Sequence, residues 1–348
     1  MATEASRIRI PIAYRPSVLG ILGTLILGVV VLWLLVNFVK EPAEFYRLFL
    51  IGLTYGVIYG FVALGYSLVY GILELINFAH GDVFMLGGML VATMTVSFGL
   101  VDESGLVLWA GIIGMLLIAM VFCATINTTI ELVAYRRLRH APRLAPLITA
   151  IGMSFVLQNI GLVWKGARPV SVPNILPNGT VFTIGGVAYT WDKFIVLLFT
   201  VPVLLGLVWL VQRTRHGKAM RATAQDRDAS AMMGINVNRT ISFTFFIAGT
   251  LAGAAGLLYA LYVTNVRFNE GFRVGLIAFT AAVLGGIGNL PGAVLGGLII
   301  GMVESFNNGL SWFTPGPDWT TSIIFAILIL ILVFRPEGLL GERTPEGA

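Results

Sequence analysis

The residues able to do chemistry are few, and they interrupt long apolar runs. The stretch Glu74-Leu-Ile-Asn-Phe-Ala-His-Gly-Asp brings Glu74, Asn77, His80 and Asp82 close together, Gln158 adjoins Asn159, and Glu304 precedes Asn307 and Asn308. An Asp at mid-span costs at least ~2.5 kcal/mol in lipid, so such groups belong in a bundle interior, a wet path or a subunit interface. Asn77, His80, Asp82, Gln158, Asn159 and Glu304 are therefore candidates for a translocation pathway. The other reading of residues 74–82 is a polar turn whose groups cap helix ends. His80 with Asp82 could carry protons, but the chain has only 3 histidines, and His140 and His216 lie in basic loops. No metal-ligand set emerges. There is no Gly-x-Ser-x-Gly elbow, and His216-Gly-Lys-Ala lacks the leading glycine and the Ser or Thr of a phosphate-binding loop. No catalytic residue, metal or cofactor is expected in this chain, and it is not expected to hydrolyse ATP.

The elements that hold these residues follow from composition. Of 348 residues, 57% are hydrophobic and 11% charged, against about a quarter charged in soluble domains. A polytopic all-α membrane protein is implied, with apolar runs at 17–39, 46–72, 75–99, 106–128, 147–164, 194–211, 241–263, 276–287, 290–310 and 320–334. That makes about ten crossings, of which 276–287 is too short for a full span and reads as a broken or re-entrant helix. The expected organisation is a cytoplasmic segment 1–16, a first helix 17–39 and a membrane domain 45–341. The first run is too long for a signal-peptide core, and Lys40-Glu41-Pro42 offers no cleavage site, so it reads as a retained span. The lone Cys123 excludes an intramolecular disulfide.

Charge sets the orientation. With the N-terminus inside, fifteen of the 22 Lys and Arg fall in the cytoplasm: Arg7, Arg9, Arg15, the groups at 136–143 and 213–239, Arg335 and Arg343. Both termini are then cytoplasmic. The net charge of +5 and pI near 9.5 follow from this topology, without a nucleic-acid partner. Two loops are too long to be mere connectors. Segment 213–239 reads as one amphipathic cytoplasmic helix, with Ala219, Ala222, Ala229, Met232 and Met233 available to a partner and Gly234 as its stop. External loop 166–192 reads as a small hairpin turning at Gly185-Gly186. Glycines recur four apart in 52–60, 249–253 and 292–301, either to let helices pack closely or to line a conduit or interface.

An ordered set of motifs resembles one known family. These are Gly65-Tyr-Ser-Leu-Val-Tyr-Gly, Ile76-Asn-Phe-Ala-His-Gly-Asp-Val-Phe-Met-Leu-Gly, Ala134-Tyr-Arg-Arg-Leu-Arg, Leu147-Ile-Thr-Ala-Ile-Gly-Met-Ser, Gly217-Lys-Ala-Met-Arg-Ala-Thr-Ala-Gln-Asp, Met233-Gly-Ile-Asn-Val-Asn-Arg, and Phe279-Thr-Ala-Ala-Val-Leu-Gly-Gly-Ile-Gly-Asn-Leu-Pro-Gly-Ala. From about Leu50 to Gly341 the chain is similar to branched-chain amino acid ABC importer permeases of the LivH type. The resemblance implies a multi-pass protein of a bacterial inner membrane that imports branched-chain or related amino acids by alternating access. Related permeases for urea, short amides or other amino acids share the signatures. Its implied partners are a second, LivM-type permease, two cytoplasmic ATPase subunits that hold ATP and Mg, a periplasmic solute-binding protein and membrane lipid. It also assigns coupling to the ATPase to Ala222, Ala224, Asp226, Ala229 and Gly234; on physical grounds, Arg221, Asp226 and Arg227 are expected to fix its register by charge pairs. The span within 1–40 is an addition that many members lack. From the residues alone, the competing class is an ion-coupled carrier using His80 and Asp82.

Overall fold

A computed structural model describes residues 18–341 except His140, Arg143, Asn178 and Gly185, and omits the side chains of 18–22, Asp102 and Ile184. The expected segment 1–16 with Arg7, Arg9 and Arg15, the glycine Gly185 of the turn, and Arg343 lie outside the described residues. Twelve α-helices carry the fold among the described residues. They are α1 (Val18–Lys40), α2 (Pro42–Leu73), α3 (Ala79–Ser97), α4 (Gly105–Ile130), α5 (Leu144–Lys165), α6 (Trp191–Arg213), α7 (Arg215–Gln225), α8 (Arg227–Met232), α9 (Val237–Val263), α10 (Glu270–Gly285), α11 (Leu290–Gly309) and α12 (Thr320–Phe334). One helix, α1, forms a unit by itself, and residues 43–341 form the other.

Nine helical segments among the described residues are long and apolar enough to cross a membrane. The expected short eighth crossing is α10, with 16 residues, and it begins at Glu270 rather than 276. Charged Glu270 and Arg273 depress hydropathy in its first turn. They stay helical because they pair one turn apart, Arg273 Nε donating to Glu270 Oε1 at 2.9 Å.

Helix α9 lies between α3 and α4, where Gly249 and Gly253 meet the backbone of Ala124 and Ala119, and Gly256 meets Phe84 and Gly88. Likewise α2 and α11 run antiparallel in direct backbone contact. A Cβ at Gly56 would sit 2.7 Å from Leu298 Cα and 3.0 Å from Gly297 O, closer than side chains tolerate. These glycine stripes therefore serve close packing within the bundle.

Loop 166–192 folds as expected into an antiparallel hairpin, β2 (Thr180–Ile184) and β3 (Val187–Thr190), with Ile184 opposite Val187. Before it, β1 (Val170–Ser171) pairs with β4 (Asn265–Val266), tying the loop after α5 to the one after α9. Helix α6 leads from this hairpin to α7, so hairpin and α7–α8 lie at opposite ends of α6.

The segment expected as one amphipathic helix is two, broken at Asp226. Its carboxylate turns back to accept the N–H groups of Asp228 and Ala229, both at 2.9 Å, and so starts α8 afresh. Thr214 caps α7 through the N–H of Gly217 at 3.1 Å, and Gly234 ends α8 at φ +84°, a left-handed conformation that suits glycine.

Candidate functional site

Helix α10 is held against α11 by the same small-residue logic: a Cβ on Gly296 would strike Ala281 and one on Gly292 would strike Gly285. Following this antiparallel register outward brings Arg273 opposite Glu304. The Arg273 Nη1 lies 3.7 Å from Glu304 Oε1. From α2, the Tyr59 hydroxyl donates to Glu304 Oε2 at 2.5 Å, and from α9 the Tyr259 hydroxyl donates to Glu270 Oε1 at 3.0 Å. Tyr55 stacks on Tyr59 at 6.0 Å and meets Tyr262 edge-on at 5.2 Å. Four helices thus converge on two carboxylates, one guanidinium and a wall of tyrosine rings.

Depth and exposure give this cluster its meaning. Glu304 lies fourteen residues into the 20-residue α11, about 21 Å from its start and about 7.5 Å from its end at 1.5 Å per residue, and Arg273 is in the first turn of α10. Tyr59 is fully enclosed and the Glu304 side chain is 9% exposed, whereas the Arg273 side chain is 43% exposed. A half-exposed guanidinium is costly against hydrocarbon and is favoured beside carboxylates or water. Among the described residues nothing covers the exposed part of Arg273, and the two carboxylates with this guanidinium suit a zwitterion or an ammonium group.

The remaining pathway candidates are not brought to this cluster. Asn77 is locked against α4: its Nδ2 donates to Asn127 Oδ1 at 3.3 Å, its Oδ1 accepts the Tyr135 hydroxyl at 2.8 Å, and Asn127 in turn donates to Phe245 O at 2.7 Å. Asp82 accepts the Ser154 hydroxyl at 2.5 Å, and Gln158 donates to the same hydroxyl at 3.1 Å. His80 meets Tyr66 edge-on at 5.1 Å. Both His80 nitrogens, the Tyr66 hydroxyl and Asp82 Oδ1 are buried without a hydrogen-bond partner among the described residues. Asn159 is exposed on α5, its amide donating to Phe155 O at 2.8 Å. As for the capping alternative, no side chain caps the start of α3.

Sequence reasoning missed Tyr59, Tyr259, Glu270 and Arg273 of the cluster, and Asn127, Tyr135 and Ser154 beside Asn77 and Asp82. The available signal was the Glu270–Arg273 spacing of one helical turn immediately before an apolar run. It also missed Glu131, fully buried where α4 passes into a short π-turn at Glu131–Tyr135 and a 3₁₀ turn at Arg136–Leu138. Glu131 pairs with Arg136 at 3.2 Å and with Arg139, and accepts the Ser242 hydroxyl at 2.7 Å. Arg139 also reaches Asn238 Oδ1 at 2.5 Å. Burial holds the Arg139 guanidinium below its ordinary pKa, opposed by the charge of Glu131.

At the same end, α7 and α8 bury Gly217, Met220, Thr223 and Ser230. Ala224, Asp226 and Gly234 are exposed, and Ala222 and Ala229 are half-buried. Met232 and Met233 stand almost free, 82% and 83% exposed. The three charged register residues are engaged within the chain. Arg221 donates to the carbonyls of Val211 and Gln212, Arg227 donates to Ile72 O at 3.1 Å and Leu73 O at 3.0 Å, and Asp226 caps α8. Arg227 thereby closes the carbonyl end of α2, where a cation is favoured.

A bundle of apolar spans enclosing a charged cluster, with a polar helix pair at one end, defines a multi-pass membrane protein of the permease class. A profile of the family described as "Branched-chain amino acid transport system / permease component" matches residues 48–333, and the chain belongs to that family. It is 40% identical over 301 residues to the high-affinity branched-chain amino acid transport system permease protein BraD of Pseudomonas aeruginosa, covering 85% of this chain and 95% of that one. It is 38% identical to the corresponding LivH of Salmonella typhimurium and 37% identical to that of Escherichia coli, each over 304 residues with the same coverage. A more distant similarity, 26% over 272 residues, covers 74% of this chain and 69% of the fructose import permease protein FrcC of Rhizobium meliloti. No solved structure matches the chain.

Proposed function

We propose that this chain is one of two permease subunits of an ATP-binding-cassette importer in a bacterial inner membrane, moving branched-chain or related amino acids inward by alternating access. The observation that carries the reading is the half-exposed Arg273 beside Glu304 and Glu270, where α2, α9, α10 and α11 converge. A second, LivM-type permease faces that surface, and the solute passes between the two. Its ammonium meets the carboxylates and its carboxylate meets Arg273, each interaction strengthened by the low-dielectric surroundings.

The α7–α8 end is cytoplasmic, as the basic segments around 136–143 and 213–239 favour. There, two ATPase subunits carry the ATP and Mg, and one of them grips the exposed tip formed by Ala224, Asp226, Met232, Met233 and Gly234, with half-buried Ala229 behind it. The opposite end, with the hairpin, receives a periplasmic solute-binding protein. No nucleotide chemistry is assigned to this chain.

The test is uptake of radiolabelled leucine into membrane vesicles bearing the assembled transporter. Arg273→Gln and Gly234→Pro should each abolish ATP-driven uptake at normal expression. Uptake that survives both changes would overturn the reading. So would uptake collapsed by an ionophore yet indifferent to ATP, the behaviour of an ion-coupled carrier.

A further inference from the structure

Away from the charged cluster, a cleft of about 290 Å³ opens between the end of α2, the 3₁₀ turn after α4, the start of α5, and α7–α8. That is the small end of the size range for small-molecule sites, ~300–1,000 Å³. Its walls combine three kinds of group. Ile72, Leu73, Leu75, Leu138, Ala141 and Pro146 give an apolar floor. Arg139 and Arg227 contribute positive charge to the lining, and Glu74 contributes a carboxylate. Thr223, Ala224 and Gln225 complete the lining from α7.

Two of the lining groups point to a ligand. The Nε of Arg139 and the hydroxyl of Thr223 are buried with no hydrogen-bond partner among the described residues. The Arg139 side chain is 8% exposed and Thr223 is 1% exposed. Buried donors are almost always partnered in folded proteins. Glu74, in contrast, is exposed and held at φ +55°, left-handed backbone that a non-glycine residue rarely adopts and that marks functional positions more often than chance.

We propose that this cleft is a second binding site, separate from the transport pathway, for a small α-amino acid with an aliphatic side chain. Arg139 Nε and the Thr223 hydroxyl donate to its carboxylate, Glu74 accepts from its ammonium, and the side chain lies on the floor formed by Ile72, Leu75 and Pro146. A ligand held in this way bridges the turn after α2 to α7, and it strengthens the attachment that Arg227 already makes between α8 and the carbonyls of Ile72 and Leu73. The bound amino acid is therefore a brake on the movement of α7–α8. Its role as a brake, and the cytoplasmic source of the ligand, rest on the coupling reading above; the binding chemistry does not.

The experiment measures equilibrium binding of radiolabelled leucine to the full-length chain in lipid nanodiscs, with no ATPase or solute-binding protein present. Competitors are isovalerate, which lacks the ammonium, isopentylamine, which lacks the carboxylate, and inorganic phosphate. Glu74→Gln removes the ammonium partner without disturbing a buried group, and Ala141→Phe fills the cleft without changing charge. Each should weaken leucine binding on the order of tenfold, while Arg273→Gln, in the pathway cluster, leaves it intact. Isovalerate, isopentylamine and phosphate should each compete poorly. In the assembled transporter, leucine on the α7–α8 side should slow ATP hydrolysis, and Glu74→Gln should relieve the slowing.

Absence of leucine binding overturns the proposal. Loss of binding in Arg273→Gln with both cleft variants unaffected assigns the ligand to the pathway and also overturns it. Phosphate competing as well as leucine makes the cleft an anion site and refutes the zwitterion. Binding that behaves as expected without slowed hydrolysis removes the brake. Failure of the import reading would instead appear in the vesicle assay, where Arg273→Gln or Gly234→Pro would continue to transport.

Discussion

Replacing Gly301 by alanine adds one methyl group at the closest approach of α11 to α2. The new Cβ falls within 3.0 Å of Gly56 N, Gly56 Cα and Gly52 O, all backbone atoms that no rotamer change can move. Carbon atoms rest at about 3.5–4.0 Å, so the helices must part by about 1 Å. Overpacking of this kind costs about 1–3 kcal/mol. The same displacement stretches the Tyr59–Glu304 hydrogen bond from 2.5 Å to about 3.5 Å, beyond hydrogen-bonding range. Losing a hydrogen bond to a charged group adds about 1.5–3 kcal/mol, so the total destabilisation should reach roughly 3–5 kcal/mol. Gly114 of α4 is the control, because a Cβ there meets nothing within 4 Å. Gly114→Ala should leave stability unchanged or raise it by up to about 1 kcal/mol, the difference in helix propensity. Both variants are compared by detergent-induced unfolding in mixed micelles, followed by far-ultraviolet circular dichroism. Equal midpoints for Gly301→Ala and Gly114→Ala would refute the account of the α2–α11 contact.

Three further outcomes follow from the geometry. Tyr59→Phe removes the hydroxyl donated to Glu304 and should cost about 1.5–3 kcal/mol and most of the leucine uptake; wild-type uptake would show that this bond is idle. Asp226→Ala removes the cap of the six-residue α8 at about 1 kcal/mol. Amide exchange at Asp228 and Ala229 should then quicken about fivefold, and an unchanged rate would mean that α8 does not depend on its cap. Cys123 is fully buried, its thiol against Val83 O at 3.3 Å, so a water-soluble maleimide should leave the folded chain unlabelled. Rapid labelling under native conditions would contradict this packing.

The apolar spans could be read from composition because a bilayer-spanning helix announces itself within its own window of residues. The start of α10 could not, because Glu270 and Arg273 lower local hydropathy, and one partner of Arg273, Glu304, lies on another helix. Tyr59 is the clearest case: its partner lies 245 positions away, and no local pattern distinguishes it from the neighbouring aromatic residues of α2. Polar positions such as Asn77, His80 and Asp82 stood out by type, but type alone cannot separate a residue pinned by Asn127 and Tyr135 from one facing a conduit. The α7–α8 region was visible as a basic, alanine-rich run ending at Gly234. Its division at Asp226 was not, although aspartate is among the preferred helix-starting residues. The hairpin was foreseen because alternating residues flank a glycine pair, a signal contained in one short stretch.

The contact between Arg227 and the last carbonyls of α2 has a mechanical consequence. Helix α2 continues without interruption from Leu73 back through Tyr59, a rod of about 21 Å between the two residues. One end is gripped by a guanidinium from α8 and the other carries the hydroxyl that touches Glu304. Helix α8 and the charged cluster are thus at the two ends of a single rod, and α11, pressed along its flank by glycine and tied to it through Tyr59 and Glu304, must move with it.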